Sequence, residues 1–325
     1  MEVACDESGY EGQKLVGGTT DVFAHAGVRL DFEAATECVH ELRNRIRSPA
    51  TEYKATHVLR EKHRPVLIWL LGPSGPLHGS ARVFLIDKTF FVVDRVVDLL
   101  VGQPGPVVGL ETNAPAVTLY REGQRAFGNE QWQALLAAAN DLMRATDRLD
   151  VTTSVDSFFR TIDSLLRTGP SGPAAEILAL LRQARPLADS YRARLLERPQ
   201  LVPALDPLIP ALVRAVDYWG EGRHAVSIVH DRQNTLSAWR IAQLKELVSG
   251  PEPKGRLSSL TLVGSTVDAR VQVADFLAGV ARKVASDQLN DRGDAELTDL
   301  LRPYLDPYSI WADERSWSRL APAST

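Results

Sequence analysis

The chain has 325 residues, 44% of them hydrophobic and 24% charged, with a formal net charge of −4. That length and balance suit a sizeable buried core and exclude wholesale disorder, and the small negative charge excludes a molecule-wide positive field, so a polyanion would need a local patch or bound cations. Cys5 and Cys38 are too few for a disulfide framework or a Cys-rich zinc site and fit a reducing compartment. Acids stand near the N-terminus where a signal peptide would carry bases, and the run Val66–Leu71 is far short of the ~20 residues that span a bilayer; a cytoplasmic protein without membrane segments is expected.

Val3–Cys5 is a short strand, and Asp21–Leu30 alternates well enough to be its hairpin partner, with Gly17-Gly18 in the connection. Phe32, Ala35, Val39, Leu42 and Ile46 follow helical spacing, with Asp31 as N-cap and Pro49 as terminator. The apolar run that follows predicts a helix ending at Gly72; Arg82–Asp87 predicts a strand, and Thr89–Val101 a helix. Residues 102–128 are rich in Pro and Gly and give no clear element.

From Asn129 the pattern is helical. One stripe is Trp132, Leu135, Leu136, Ala139, Leu142 and Met143, a second Phe158, Ile162, Leu165 and Leu166, and a third Ile177, Leu180, Leu181 and Leu187. Strands return with Ala225–His230 and Leu260–Val263, separated by a helix over Thr235–Val248. Val271–Val284 is an amphipathic helix, and a polar, aromatic tail follows. Strands flanking a helical middle predict an α/β protein with a helical insertion. The expected divisions are 1–128 and 223–290 for the two parts of the sheet domain, 129–222 for the insertion or cap, and 291–325 for the tail.

Acids then fall in a pattern. Asp6 follows the first strand and Asp231 the late one, and ligands of α/β sheets bind at the carboxyl ends of strands. Asp275 lies one turn into the last helix, and Glu52 stands two residues before Lys54. A single strand-end Asp is ordinarily a turn former or cap; only the joint pattern suggests a site for a hard divalent cation, which prefers oxygen ligands. Other chemistries lack their residues. Ser8 has no Gly-x-Ser-x-Gly elbow, Gly72-Pro-Ser-Gly-Pro lacks the Lys-Ser/Thr end of a P-loop, and the histidines show no His-Glu-x-x-His spacing.

"ACDESGY" at the start, "EYK" at Glu52–Lys54, "SIVHDRQ" after the late strand and "VQVADFLAG" near the end resemble the bacterial family called domain of unknown function 3800. The resemblance covers both flanks of the chain and skips the helical middle. It implies a ribonuclease-H-like mixed sheet, with the first three strands antiparallel and the strand leading to Asp231 beside the first and parallel to it. It also implies a metal-dependent nuclease. Asp6 takes the place of the central first-strand acid, Asp231 that of the later strand-end acid, Asp275 that of the last-helix acid, and Glu52 the Glu of a Glu-x-Lys position where Leu is more usual than Tyr53. The chemistry implied is two-metal phosphodiester hydrolysis, with Asp6 bridging two Mg²⁺ or Mn²⁺ ions about 3.5–4 Å apart. Asp231 and Asp275 would complete the metal shells, Glu52 would ligate a metal or orient water, and Lys54 or Lys88 would contact a phosphate. Glu7 joins the site only if the first strand has ended before it, because neighbours on a strand point to opposite sides. The expected partner is nucleic acid. The alternative is a non-catalytic module that binds a protein partner, or a second copy, through the helical block; a phosphoesterase acting on a small substrate is a third reading.

Overall fold

A computed structural model describes residues 1–47, 55–102, 113–145, 151–198, 203–221, 223–249, 256–264 and 266–322. Glu52, Lys54 and Pro49 lie outside the described residues.

The chain begins with β1 (Glu2–Ser8) and β2 (Val22–Val28), followed by α1 (Phe32–Ile46), α2 (Ala55–Val58), α3 (Arg64–Leu71) and β3 (Ala81–Asp87). The Asp31 side chain accepts a hydrogen bond from the Ala34 N–H at 2.7 Å and so caps α1. Asp87 has two tasks: it ends β3, and its carboxylate accepts from the N–H groups of Thr89 and Phe90, opening α4 (Lys88–Val101). The helical middle comprises α5 (Ala114–Phe127), α6 (Asn129–Met143), α7 (Val151–Arg167), α8 (Pro173–Gln183), α9 (Arg185–Glu197) and α10 (Leu208–Gly220). Then come β4 (Ala225–Asp231), α11 (Ala238–Val248), β5 (Arg256–Val263), α12 (Ala269–Leu289), α13 (Ala295–Leu301) and α14 (Glu314–Leu320). No helix among the described residues is long and apolar enough to cross a membrane.

The protein is α/β, with one five-stranded mixed sheet in the order β3-β2-β1-β4-β5. β1 pairs antiparallel with β2, and β2 with β3. β4 lies parallel to β1 on its other side, and β5 parallel to β4. β1 is therefore the central strand, and the carboxyl ends of β1, β3, β4 and β5 share one edge of the sheet.

Side-chain alternation divides the molecule into layers. Val22, Ala24, Ala26 and Val28 of β2 pack with α1, α3 and α12 on one face. Val3, Cys5, Phe23, Val226 and Ile228 pack on the other face, in a core continuous with the interior of the helical block. The tail crosses back to the sheet. Asp306 N–H donates to Val83 O at 2.8 Å and Ile310 N–H to Leu85 O at 2.9 Å, so residues 305–310 run along the outer side of β3.

Several sequence expectations are corrected here. β1 continues to Ser8, so Asp6 and Glu7 lie inside the strand rather than after it, because β2 keeps offering it partners up to Ala24 after the pairing with β4 has ended at Cys5. β5 starts at Arg256, four residues earlier than expected, and α12 extends from Ala269 to Leu289. The stretch before Gly128 without a clear element carries α5, whose Pro115 sits in the first turn, where a missing N–H does no harm. Leu187 does not share a stripe with Ile177, because a break at Ala184 separates α8 from α9; Leu180 and Leu187 face solvent.

Candidate active site at the strand edge

The register of β1 and β4 sets the geometry. Ala4 lies opposite Val229 and Cys5 opposite His230, which brings Asp6 level with Asp231 at the end of the pair. Two parallel strands in register point equivalent residues the same way. Ala4 and Val229 pack with Val271 of α12, so Asp6 and Asp231 point to the α12 face as well.

α12 climbs this face alongside β1. Val271 meets Ala4 at the lower end. Asp275 follows one turn higher, half-buried and electrostatically coupled to Asp6. Gly279 comes next, where a Cβ would lie 2.3 Å from the Ala55 Cβ and 3.9 Å from Ser8 Oγ. Arg282 then donates from Nε to Ser8 Oγ at 3.0 Å. At the top the Ser286 hydroxyl donates to Asp21 Oδ1 at 2.6 Å. Asp275, Gly279 and Arg282 share a face because helical residues four and seven apart nearly superpose.

Asp6 is 4% exposed. Burial, followed by the charges of Glu7, Asp275 and Asp231, pushes its carboxyl up to about 9, although its Oδ1 accepts from the Glu7 N–H at 2.7 Å. A carboxyl raised by neighbouring carboxyls wants either a proton or a cation. The donor set is all oxygen, which suits a hard divalent ion. As the side chains stand, no group of three or more His, Cys, Asp or Glu among the described residues is arranged to hold a metal. The chemistry of the residues fits such an ion; their closure around one is not present in this conformation.

Glu7 occupies the other face of β1, under the helical block. Gln233 Nε2 donates to its Oε1. Burial pushes Glu7 up to about 8; the Gln233 hydrogen bond pulls it back, and the charges of Asp231 and Asp275 add to the rise. His230 Nε2 stands 3.5 Å from Glu7 Oε2, and the His230 and His25 rings stack with centroids 5.4 Å apart. His230 Nδ1 lies 2.9 Å from the Asp231 carbonyl oxygen. A carbonyl only accepts, so Nδ1 carries the proton, and burial holds the ring neutral by lowering its pKa. Nε2 is then a bare acceptor facing Glu7 Oε2, and neither of these two buried atoms has a hydrogen-bond partner among the described residues. Glu7 is thus turned away from the carboxylate site because β1 has not ended before it, and its histidine neighbours were missed by sequence reasoning. Their signal was present in "SIVHDRQ", where alternation sends His230 away from Asp231.

Lys88 lies at the same edge, with its side chain fully buried. Its ammonium donates to Glu11 Oε2 at 2.6 Å and Thr20 Oγ1 at 2.5 Å. Desolvation works to raise Glu11, but hydrogen bonds from Lys88 and Thr19 outweigh it and hold its carboxyl down to about 2. Burial lowers the Lys88 pKa while Glu11 draws it back. The pair therefore fastens the loop between β1 and β2 to the start of α4, and its ammonium is already committed within the protein. Arg282 was missed by sequence reasoning; its only signal was its spacing of two turns from Asp275.

Comparison of the chain with protein-family models, with curated proteins and with solved structures finds no match.

Proposed function

We propose that the protein is a metal-dependent phosphodiester hydrolase, a nuclease of the ribonuclease-H-like kind, with its site at Asp6, Asp231 and Asp275. The observation that carries this reading is the placement of Asp6 and Asp231 level on adjacent parallel strands, under a helix that brings a third coupled carboxylate to the same face. The strand order and directions agree with those implied by the family resemblance. Glu52 is the fourth acid of the proposal. Ala55, three residues after it, packs beside Gly279 at the site's upper end.

Asp6, Asp231 and Asp275 would hold one or two Mg²⁺ or Mn²⁺ ions, which when bound lower the pKa of water and offset charge on a phosphate. The protein's own part is to fix three carboxylates on two strands and a helix, on elements stiffer than loops. Burial of Asp6 keeps bulk water from competing for its oxygens.

The test is cleavage of labelled single- and double-stranded DNA and RNA with Mg²⁺, Mn²⁺ or EDTA, comparing wild type with Asp6→Asn and Asp231→Asn. The expected result is metal-dependent cutting that each variant reduces at least about 100-fold, the range seen when one electrostatic stabiliser of a transition state is removed. Undiminished cutting by a pure Asp6→Asn sample sinks the assignment.

A second reading, a non-catalytic module with a vestigial acid cluster, draws support from the net charge of −4, since phosphate contacts are expected of a nuclease. Thermal unfolding separates the two, since a ligand that binds only the native state raises Tm. A Tm unmoved by millimolar Mn²⁺ favours the module. A rise that Asp6→Asn abolishes favours the hydrolase.

A further inference from the structure

Resting on the hydrolase reading, we propose that Arg282 is a substrate-binding residue that takes a backbone phosphate next to the one cut at Asp6 and Asp231.

Position is the first argument. Seven residues separate Asp275 from Arg282, about 10 Å along the helix at its ordinary rise, with both on the face turned to β1. Arg282 therefore stands at the carboxyl end of β1, immediately beyond the acids. A polynucleotide lying along this edge with one phosphate at the carboxylates brings a neighbouring one within reach of a long side chain.

Pre-organisation is the second. Arg282 Nε donates to Ser8 Oγ at 3.0 Å, and its Cδ would lie 2.8 Å from a Cβ at position 9. Gly9 has φ +83, and that same Cβ would be 2.4 Å from Val22 O. Glycine thus lets the chain turn and lets the arginine stem lie flat against it. With Nε held, the outer nitrogens of the planar guanidinium present a fork, the shape that binds a phosphate through two parallel hydrogen bonds.

Charge is the third. Among the described residues, no carboxylate forms an ion pair with Arg282, and Ser8 is its hydrogen-bond partner. The cation nearest in role, Lys88, is neutralised by Glu11. Asp21 accepts from the neutral donors Ser286 and Asn290 and forms no ion pair with Arg282. Arg282 is left as a positive group beside a strongly acidic site, where it offsets part of the repulsion between a phosphate chain and these carboxylates.

The experiment uses the full chain and the best-cut oligonucleotide from the cleavage panel. Binding is measured in EDTA across a KCl series, and steady-state cleavage with Mn²⁺, for wild type, Arg282→Gln and Arg282→Lys. Loss of a charge-assisted contact should weaken binding and raise KM about tenfold or more, with kcat within about twofold of wild type. The slope of log affinity against log salt should become shallower by about 0.7–0.9, the value of one phosphate contact. Arg282→Lys should restore the slope while recovering only part of the affinity. A structural tie to Ser8 would move Tm but not the slope. Wild-type affinity and slope in Arg282→Gln, with wild type still cutting, overturn the proposal and leave the hydrolase reading standing. A wild type that neither binds nor cuts any member of the panel overturns both. If Arg282→Gln fails to fold by circular dichroism, Arg282→Lys alone decides: reduced affinity at unchanged slope supports the phosphate contact, and unchanged affinity overturns it.

Discussion

At the residue scale, adjacent acids on one strand carry opposite consequences. Asp6 and Glu7 are both buried and both raised, to about 9 and about 8, yet they lie on different faces. A carboxyl whose folded pKa exceeds its unfolded value stabilises the fold at low pH, below about 4, and that contribution is lost as pH rises through the folded value. The metal-free protein should therefore lose stability steadily between pH 4 and about 9. Asp6→Asn removes one of the two groups, so in EDTA its Tm at pH 8 should exceed that of wild type, with the gap closing toward pH 4. A gap of constant size, or a variant less stable at pH 8, would show that Asp6 is ionised without strain. Tm measured against pH in EDTA decides this. The opposite signs expected for activity and stability at one residue are a mark of a carboxylate placed for a cation rather than for the fold.

At the element scale, α12 is the part that assembles the site. It carries Asp275 and Arg282, and it can approach the sheet and α2 closely because position 279 has no side chain. A Cβ there would lie 2.3 Å from the Ala55 Cβ, too close for either backbone to keep its place. Gly279→Ala should therefore cost about 1–3 kcal/mol by overpacking, against the usual small benefit of Ala in a helix. It should also lower cleavage, because lifting α12 moves Asp275 away from Asp6. Urea unfolding and the cleavage assay test the two effects; a Gly279→Ala variant as stable as wild type would mean that α2 yields freely.

How much of this was legible in the sequence differs from residue to residue. Asp31, Ala35, Val39, Leu42 and Ile46 announced α1 because cap and spacing are local signals. Asp231 was readable as a strand-end acid because Val226, Ile228 and Val229 form an apolar run before it. The length of β1 was not readable. A strand interior with two carboxylates looks like a strand end, and only the pairing of Asp6, Glu7 and Ser8 with Ala26, His25 and Ala24 of β2 shows otherwise. Lys88 read as a phosphate contact, whereas its partners Glu11 and Thr20 lie in a distant loop that no local pattern links to it. Arg282 read as one more charge on an amphipathic helix, since its relation to Ser8 and Gly9 exists only once α12 lies along β1.

At the scale of the whole molecule, the tail completes the sheet. β3 is an edge strand, and residues 305–310 cover its outer side with backbone hydrogen bonds at Val83, Leu85 and Asp87. Asp306 is anchored through Arg214 Nε at 2.9 Å, which ties the tail to the helical block. An uncovered edge strand is a template for pairing with another chain. Truncation before Tyr304 should therefore yield a protein that self-associates, read as a concentration-dependent rise in light scattering; a monodisperse monomer would show that β3 needs no cover.

The central pairing of β1 with β4 also has a history within each molecule. Met1 and Ala225, joined by a backbone hydrogen bond, are 224 positions apart, and everything from β2 to α10 lies between them. Closing so long a loop is slow, and contacts of this range form late in folding. The antiparallel trio of β1, β2 and β3 can be built from the first 87 residues, but of the three acids that meet under α12 it holds only Asp6. A growing chain passes through most of its synthesis without Asp231 or Asp275, and the full carboxylate set comes into being in one late step, when the fourth strand docks and α12 closes over it.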